Sequence, residues 1–431
     1  LAAHPSVWRN VNFVRLWFGT VLSTLGDNAF YILLPWYVIE VTGSEGAIGG
    51  ALLAMSLPRL VFMLAGGIAA DRFNRKTIMS LSLLARGAVL LIFSLMLRGA
   101  VTGLSPTLYL VAVVFGLVDA FFWPVRSSIM PFIVDKQALP RANSLMESSQ
   151  QISTVLGSLA ASLLLGLSSY PLIFTVIASL FFLSMVAILP MRLSHNQAQT
   201  AVPSVGRSFF PELADGIRYV CRIRVLTLMM CTALFVNMMF SGPINIALPS
   251  LIKLLGWNGS AFGYMLGALG FGAIIGSAIT GYLNGFRGYL PLVAVFICCL
   301  GTAVAMIAFM TGLPFGLFAM LLAGSAISMV NIPMNTYIQT IVDPRKLGRV
   351  FSLLTLVSLG FNPVSFAVTS YLLDHHLLSQ REIFGLGGVT MALLGLSLLL
   401  FRDFRRLEEH PEWQKTLRQT RDQASDQPVP S

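Results

Sequence analysis

Twelve apolar runs, each long enough to cross about 30 Å of hydrocarbon as a helix, constrain this chain more than any other feature. They fall near residues 13–39, 47–70, 77–98, 105–124, 142–166, 170–191, 225–249, 258–283, 289–311, 314–334, 349–373 and 384–401. Only helices or closed barrels satisfy every backbone group inside a bilayer, and runs of this length select helices. Charged residues make up 11% of the 431, against about 25% in soluble domains, so a soluble enzyme is excluded. A formal charge of +10 would suit nucleic acid, but the cations occupy short loops between the runs and not one polar face. No nucleic-acid partner is expected. Assigned alternately, the loops and termini carry 23 Lys and Arg on one side and 3 on the other. The positive-inside rule then places both termini in the cytoplasm and the chain, as a multi-pass protein, in the plasma membrane. Leu1 to Asn12 lack the pattern of a cleaved signal peptide, so the first run is expected to stay as helix 1.

Residues 192–224 break the apolar pattern with Ser, Gln, Pro, Arg, Glu and Asp, and from Phe209 they read as an interfacial helix. The expected organisation is a first six-helix bundle (1–191), a cytoplasmic linker (192–224), a second bundle (225–401) and a cytoplasmic tail (402–431). An internal repeat supports the division. At an offset of 208 residues, Ile133-Val134-Asp135 matches Ile341-Val342-Asp343, Arg141 matches Arg349, and Ser144-Leu145 matches Ser352-Leu353. The two halves therefore read as parallel repeats. Prolines 35, 58, 243 and 363 lie inside the runs as candidate kinks. Gly267, Gly272 and Gly276 lie in an apolar run without a phosphate-loop lysine, so they read as close helix packing. Cys221, Cys231, Cys298 and Cys299 have no metal-ligand spacing and read as small apolar packing residues. All five histidines lie outside the runs or at their ends, so no enzyme centre, metal or cofactor is expected.

Ionisable groups inside the runs carry the functional information, because a charge in hydrocarbon costs several kcal/mol and is as a rule paired or put to use. Four stand out: Asp27, Arg59, Arg86 and Asp119, whose formal charges cancel. At 1.5 Å per residue, Asp27 lies roughly 18 Å beyond Arg15 and Arg59 roughly 18 Å before Asp71. Both are expected at mid-membrane, as a pair or around a shared wet cavity. Arg86 and Asp119, roughly 15 and 10 Å from Lys76 and Arg126 by the same rise, are expected nearer the cytoplasm as a second pair. Such pairs either lock the half-bundle or couple to protons: desolvation favours a neutral acid, a nearby guanidinium favours the carboxylate, and moving one against the other releases a proton. The second half has no mid-run charge. Asn28, Phe122, Trp123, Gln150, Asn237, Met238 and Asn331 are the candidate lining of a substrate cavity, with Met suited to promiscuous binding.

The spacing Gly67-x-x-x-Asp71-Arg72-x-x-Arg75-Lys76 resembles the loop between helices 2 and 3 of the major facilitator superfamily of transporters. That family usually has glycine where Asn74 stands, a residue that also tolerates the left-handed conformation. The resemblance implies an all-α membrane fold, with twelve transmembrane helices in two pseudo-symmetric six-helix bundles. It also implies a conformational latch in which Asp71, Arg72, Arg75 and Lys76 meet a helix of the other half, the helix end near Arg349 being the expected partner of Asp71. Leu25-Gly26-Asp27-Asn28, Trp123-Pro124-Val125-Arg126 and Leu347-Gly348-Arg349-Val350-Phe351-Ser352 are similar to the branch of macrolide and siderophore exporters, drug:proton antiporters. Ala142-Asn143-Ser144-Leu145-Met146-Glu147 is equally similar to lysophospholipid transporters. Many antiporters of the family carry an arginine about where Phe115 stands, so that relay does not carry over and Asp27 and Asp119 take its place. The expectation is a monomeric secondary exporter of amphipathic small molecules in exchange for protons. The alternatives are a lysophospholipid or other lipid transporter, with Arg59, Arg86 or Arg126 receiving a phosphate, and a receptor or scaffold that does not transport.

Overall fold

The computed structural model describes residues 7–99, 104–134, 138–167, 169–191, 217–283, 286, 289, 291–342, 346–401, 404 and 413–414. Among them the regular elements are helical: α1 (Val11–Thr42), α2 (Glu45–Arg72), α3 (Arg75–Arg98), α4 (Leu104–Ile129), α5 (Leu139–Leu167), α6 (Tyr170–Ile188), α7 (Arg224–Gly242), α8 (Leu248–Leu254), α9 (Gly259–Tyr282), α10 (Leu292–Ile307), α11 (Leu313–Ile341), α12 (Leu347–Gly360), α13 (Asn362–Asp374) and α14 (Gln380–Leu398). Nine helical stretches among the described residues are long and apolar enough to cross a membrane. α1 and α5, at 32 and 29 residues, are helical where runs were expected, but residues such as Asp27, Asn28, Glu147 and Gln150 make them more polar than those nine.

Of the four prolines, Pro243 and Pro363 sit at interruptions. Pro243 opens a π-helical turn, Pro243–Ala247, that joins α7 to α8, as expected where a residue without an N–H breaks the i→i−4 ladder. The buried Ser365 hydroxyl serves that region, donating to Met238 O at 2.6 Å and accepting from Gly242 N at 2.8 Å. Pro363 follows the break at Phe361 between α12 and α13. Pro35 and Pro58 lie within continuous helices.

One compact unit is formed by residues 1–205, 245–267 and 366–377. In it α2 packs on α4, α3 on α6, and α1 on both α5 and α6. A Cβ on Gly116 of α4 would stand 1.9 Å from Met55 O of α2, so the two backbones meet where only glycine fits. At the end where α1 gives way to α2, polar groups far apart in sequence converge. Ser250 Oγ donates to Glu45 Oε1 at 2.5 Å, Ser370 Oγ to Glu45 O at 3.1 Å and Ser44 Oγ to Asp374 Oδ1 at 3.3 Å. Lys253 Nζ donates to Ile39 O in the last turn of α1, a cation at the negative end of a helix dipole. At the opposite end, Arg15 Nη1 donates to Pro190 O at 2.8 Å, and Lys76 Nζ to Leu189 O and Met191 O at 3.0 and 3.1 Å. Together they close the C-terminus of α6.

The second unit comprises residues 206–244, 268–365 and 378–431. Here α10 packs on α14 and α11. The expected close packing through glycine is present: a Cβ on Gly272 or Gly276 would meet α11 backbone at 2.1 and 2.3 Å, and one on Gly324 would stand 1.9 Å from Leu269 O. Gly324 is Gly116 shifted by 208 residues, so the repeat read from the loops extends to a close, glycine-mediated helix contact in each half. An apolar cluster including Val220, Leu226, Ile297, Ile338 and Val350 also holds Phe404 and Trp413 of the tail. Trp413 is 1% exposed and meets Tyr337 edge-on with ring centroids 5.3 Å apart.

Two expectations are corrected. Asn74 does not adopt the left-handed conformation: at φ −63°, ψ 115° it is the extended N-cap of α3, its side chain accepting from Lys76 N. α2 runs to Arg72, so two residues remain for the turn and the second must cap. Of the cysteines, Cys221, Cys231 and Cys299 are exposed on helix surfaces, while Cys298, partly buried, donates to Ala392 O at 3.3 Å. The linker expected at 192–224 is described only from residue 217, with helix over 217–222.

Candidate functional site

The four mid-run charges converge in the first unit as one ladder and not as two pairs. Arg86 Nη1 lies 2.9 Å from Asp27 Oδ1, Arg86 Nη2 pairs with Asp119 Oδ1, and Arg59 Nη1 lies 3.0 Å from Asp119 Oδ2. Tyr31 completes it, its hydroxyl accepting from Arg59 Nη1 at 2.9 Å. The expected Asp27–Arg59 pair is therefore replaced by Asp27–Arg86, and Arg86 and Asp119 stand beside Asp27 and not nearer the cytoplasm. Counting rises from the nearest loop cation assumes that all loops begin at one depth. Arg86 is the twelfth of the 24 residues of α3, at its centre like Asp27 on α1, while α4 runs on for ten residues past Asp119.

Arg86 is 0% exposed. Its guanidinium carbon lies 4.6 Å from the centroid of Phe122, 5.3 Å from Phe115 and 5.7 Å from Phe181, and its Nε has no acceptor. A guanidinium is weakly hydrated enough to accept an aromatic box where an ammonium would not. Phe115 also stacks on Phe30, centroids 4.2 Å apart. The Phe115 position, where the resemblance drawn from sequence would have put an arginine, thus holds a ring against an arginine supplied by α3. Phe122, expected to line a substrate cavity, is 1% exposed and belongs to this box. Arg59, with a side chain 25% exposed against 2% for Asp119, is the member of the ladder that meets its surroundings.

Two turns after Asp119, a second polar cluster links α4 to α5. Arg126 Nη2 donates to Gln150 Oε1 at 2.5 Å, and its guanidinium lies 4.7 Å from the Trp123 ring centroid. Thr154 Oγ1 donates to Gln150 O at 3.0 Å, and Asn28 Nδ2 reaches Thr154 Oγ1 at 3.4 Å and Thr24 O at 2.7 Å. The cluster therefore ends beside Asp27. Trp123, Gln150 and Asn28, separate candidates in sequence, come together here. In the second unit, Asn237 Nδ2 is spent on Ala233 O of its own helix at 2.8 Å, Met238 is half-buried and Asn331 is exposed. Among the described residues no hydrogen bond joins these three.

Among the latch candidates, Arg75 lies over the Phe132 ring at 4.3 Å and Lys76 closes α6, so both engage the first unit. Gly67, Asp71 and Arg72 are in the last turns of α2, and their surroundings, like the side chain of Arg349, lie outside the described residues. Sequence reasoning missed Tyr31, though its i, i+4 spacing from Asp27 placed the two on one face of α1. It also missed Glu45, Ser250 and Asp374, which lie 200 residues or more apart in pairs that no local signal joins.

The family model described as Major Facilitator Superfamily matches residues 16–361. Macrolide efflux protein A of Streptococcus pyogenes is 23% identical over 412 residues, covering 93% of this chain and 98% of the relative. Multidrug efflux pump Tap of Mycobacterium tuberculosis is 24% identical over 371 residues, covering 83% and 86%. The crystal structure of the nucleoside transporter NupG is similar in fold, with a TM-score of 0.70 at 13% identity over 93% of this chain and 99% of that one. The chain belongs to the major facilitator superfamily.

Proposed function

We propose that this protein is a proton-coupled secondary exporter of amphipathic small molecules, with Asp27 carrying the proton. The observation that supports it best is the buried Asp27–Arg86–Asp119–Arg59 ladder, and the likeness to macrolide and multidrug efflux proteins points to the substrate class. Two acids and two cations balance, so the ladder is stable only while neutral. A proton on Asp27 leaves Arg86 to Asp119 alone and adds one uncompensated charge, worth several kcal/mol where water is scarce. Rearrangement that opens Asp27 to the other side of the membrane relieves that imbalance, and this ties proton movement to alternating access. In this reading twelve spans form two bundles divided at 192–224, with both termini cytoplasmic. The protein acts as a monomer in the plasma membrane, and the 67–76 loop latches one access state.

Proteoliposome efflux of lipophilic dyes, anionic and cationic, under an imposed pH gradient tests the proposal. Asp27→Asn keeps the shape and the hydrogen-bonding capacity, and it is expected to abolish gradient-driven efflux while the protein elutes as the parent does. Full efflux by the variant would remove Asp27 from the mechanism.

A further inference from the structure

We infer that the exported amphiphile is acidic, its carboxylate or phosphate oxygens seating on Arg126 beside Gln150 and Trp123. This rests on the transport reading and names its substrate class. In the ladder both carboxylates are already held by guanidinium groups, which leaves no acid free to receive a cationic substrate. Arg126 is the reverse case. It is 8% exposed, and its observed partners, the Gln150 amide oxygen and the face of Trp123, are neutral. Among the described residues no carboxylate lies within 4 Å of it. Glu147, one turn before Gln150 on the facing helix and exposed, and Asp27 act on it only from beyond contact distance.

A guanidinium has five donors in a planar fork suited to two oxygens of one oxyanion. A buried cation with no carboxylate in direct contact is costly, so an arriving anion gains a contact ion pair that the resting site lacks. The surroundings suit an amphiphile's head group. Trp123 offers a half-buried ring, and Gln150, with Thr154 and Asn28 beyond it, offers a polar lane toward Asp27. Because Arg126 follows Asp119 by seven residues, both project from one face of α4, which places the head group two turns from the ladder.

The test uses three probes with one alkyl chain and a carboxylate, an amide or an amine head, together with a lysophosphatidic acid. Each is measured for binding to the purified full-length protein in nanodiscs and for release from proteoliposomes. The wild type is expected to bind the carboxylate at least about tenfold more tightly than the amide, the gain of one charge-assisted hydrogen bond, and to bind the amine least. Arg126→Gln should lose that preference, binding carboxylate and amide alike, and Arg126→Lys should keep most of it. Gln150→Glu, which places a carboxylate against Arg126 without removing it, should lose it as Arg126→Gln does. Tighter binding of the lysophosphatidic acid would identify a lipid head group as the source of the oxyanion, and tighter binding of the carboxylate a soluble amphiphile. Equal binding of carboxylate and amide by the wild type, or an undiminished preference in Arg126→Gln, overturns the inference. Release of the amide or amine as fast as the carboxylate would overturn the acidic class while transport stands. Release of none of the probes while a dye of the efflux assay leaves would overturn the inference, and retention of the dyes as well would sink the transport reading itself.

Discussion

Which cation holds Asp27 is decided by a double-mutant comparison whose size follows from the coordinates. Arg86 lies 2.9 Å from Asp27 and also pairs with Asp119, with side-chain exposures of 0, 10 and 2% for the three. Removing Arg86 does not orphan the two acids equally. Asp119 keeps Arg59 at 3.0 Å, whereas Asp27 loses its observed ion-pair partner. Breaking a buried pair by deleting one member costs about 3–5 kcal/mol, and Arg86→Met also gives up its place among three rings. The variant should therefore unfold far more readily in graded-denaturant titrations of detergent-solubilised protein. Adding Asp27→Asn removes the stranded charge, so the double variant should recover about 1–3 kcal/mol, the range for residues in direct contact. The same cycle between Asp27→Asn and Arg59→Met should show much less coupling, since those two are joined through Arg86 and Asp119 in turn. Strong coupling of Asp27 to Arg59, or additive losses for Asp27 with Arg86, would refute the ladder as drawn.

Three further outcomes follow from packing. Gly116→Val must push α4 off Met55 O, which leaves no room for a Cβ at 1.9 Å, and should yield little folded protein, whereas Gly281→Ala, which meets nothing within 4 Å, should express as the parent does. Ser365→Ala leaves the buried Gly242 N–H without its acceptor and should cost about 1–3 kcal/mol, read as a lower thermal midpoint. Trp413→Ala empties a fully buried site against Tyr337; it should cost about 3–5 kcal/mol and speed proteolysis of the C-terminal tail.

The sequence carried the fold further than the site. Apolar runs and the 208-residue offset are local or periodic signals, and they pointed to helix class and repeat without any tertiary contact. The identity of the ladder's members was equally legible, because Asp27, Arg59, Arg86 and Asp119 are costly inside apolar runs. Their pairing was not. Which cation meets which acid depends on how far each helix extends beyond the hydrocarbon and how it is rotated, and neither leaves a trace in residue counts. Phe122 misled for a related reason: a ring at the end of an apolar run looks alike whether it faces a substrate or a guanidinium. The contacts of Glu45 with Ser250 and Ser370 were invisible because serine is too common, and too far away in the chain, to announce a partner.

The repeat also says where the charge chemistry can act. Gly116 and Gly324 occupy the same place in equivalent helix pairs, an added Cβ on each standing 1.9 Å from a backbone oxygen, yet three residues further on the first half has Asp119 and the second Ile327. Phe115, over the Arg86 guanidinium, corresponds to Ala323. The second half keeps the packing and drops the charge, so a proton and an acidic head group would both be handled by α1, α4 and α5 of the first half. Opposite charges separated by on the order of 10 Å at an effective dielectric of about 20 attract by roughly 1–2 kcal/mol. A proton on Asp27 and an anion at Arg126 therefore assist each other's binding and do not compete. Exchange of one for the other then has to come from the alternation of access states, each carrying a single occupant across, and the strength of the ladder in either state sets how strictly that alternation is kept.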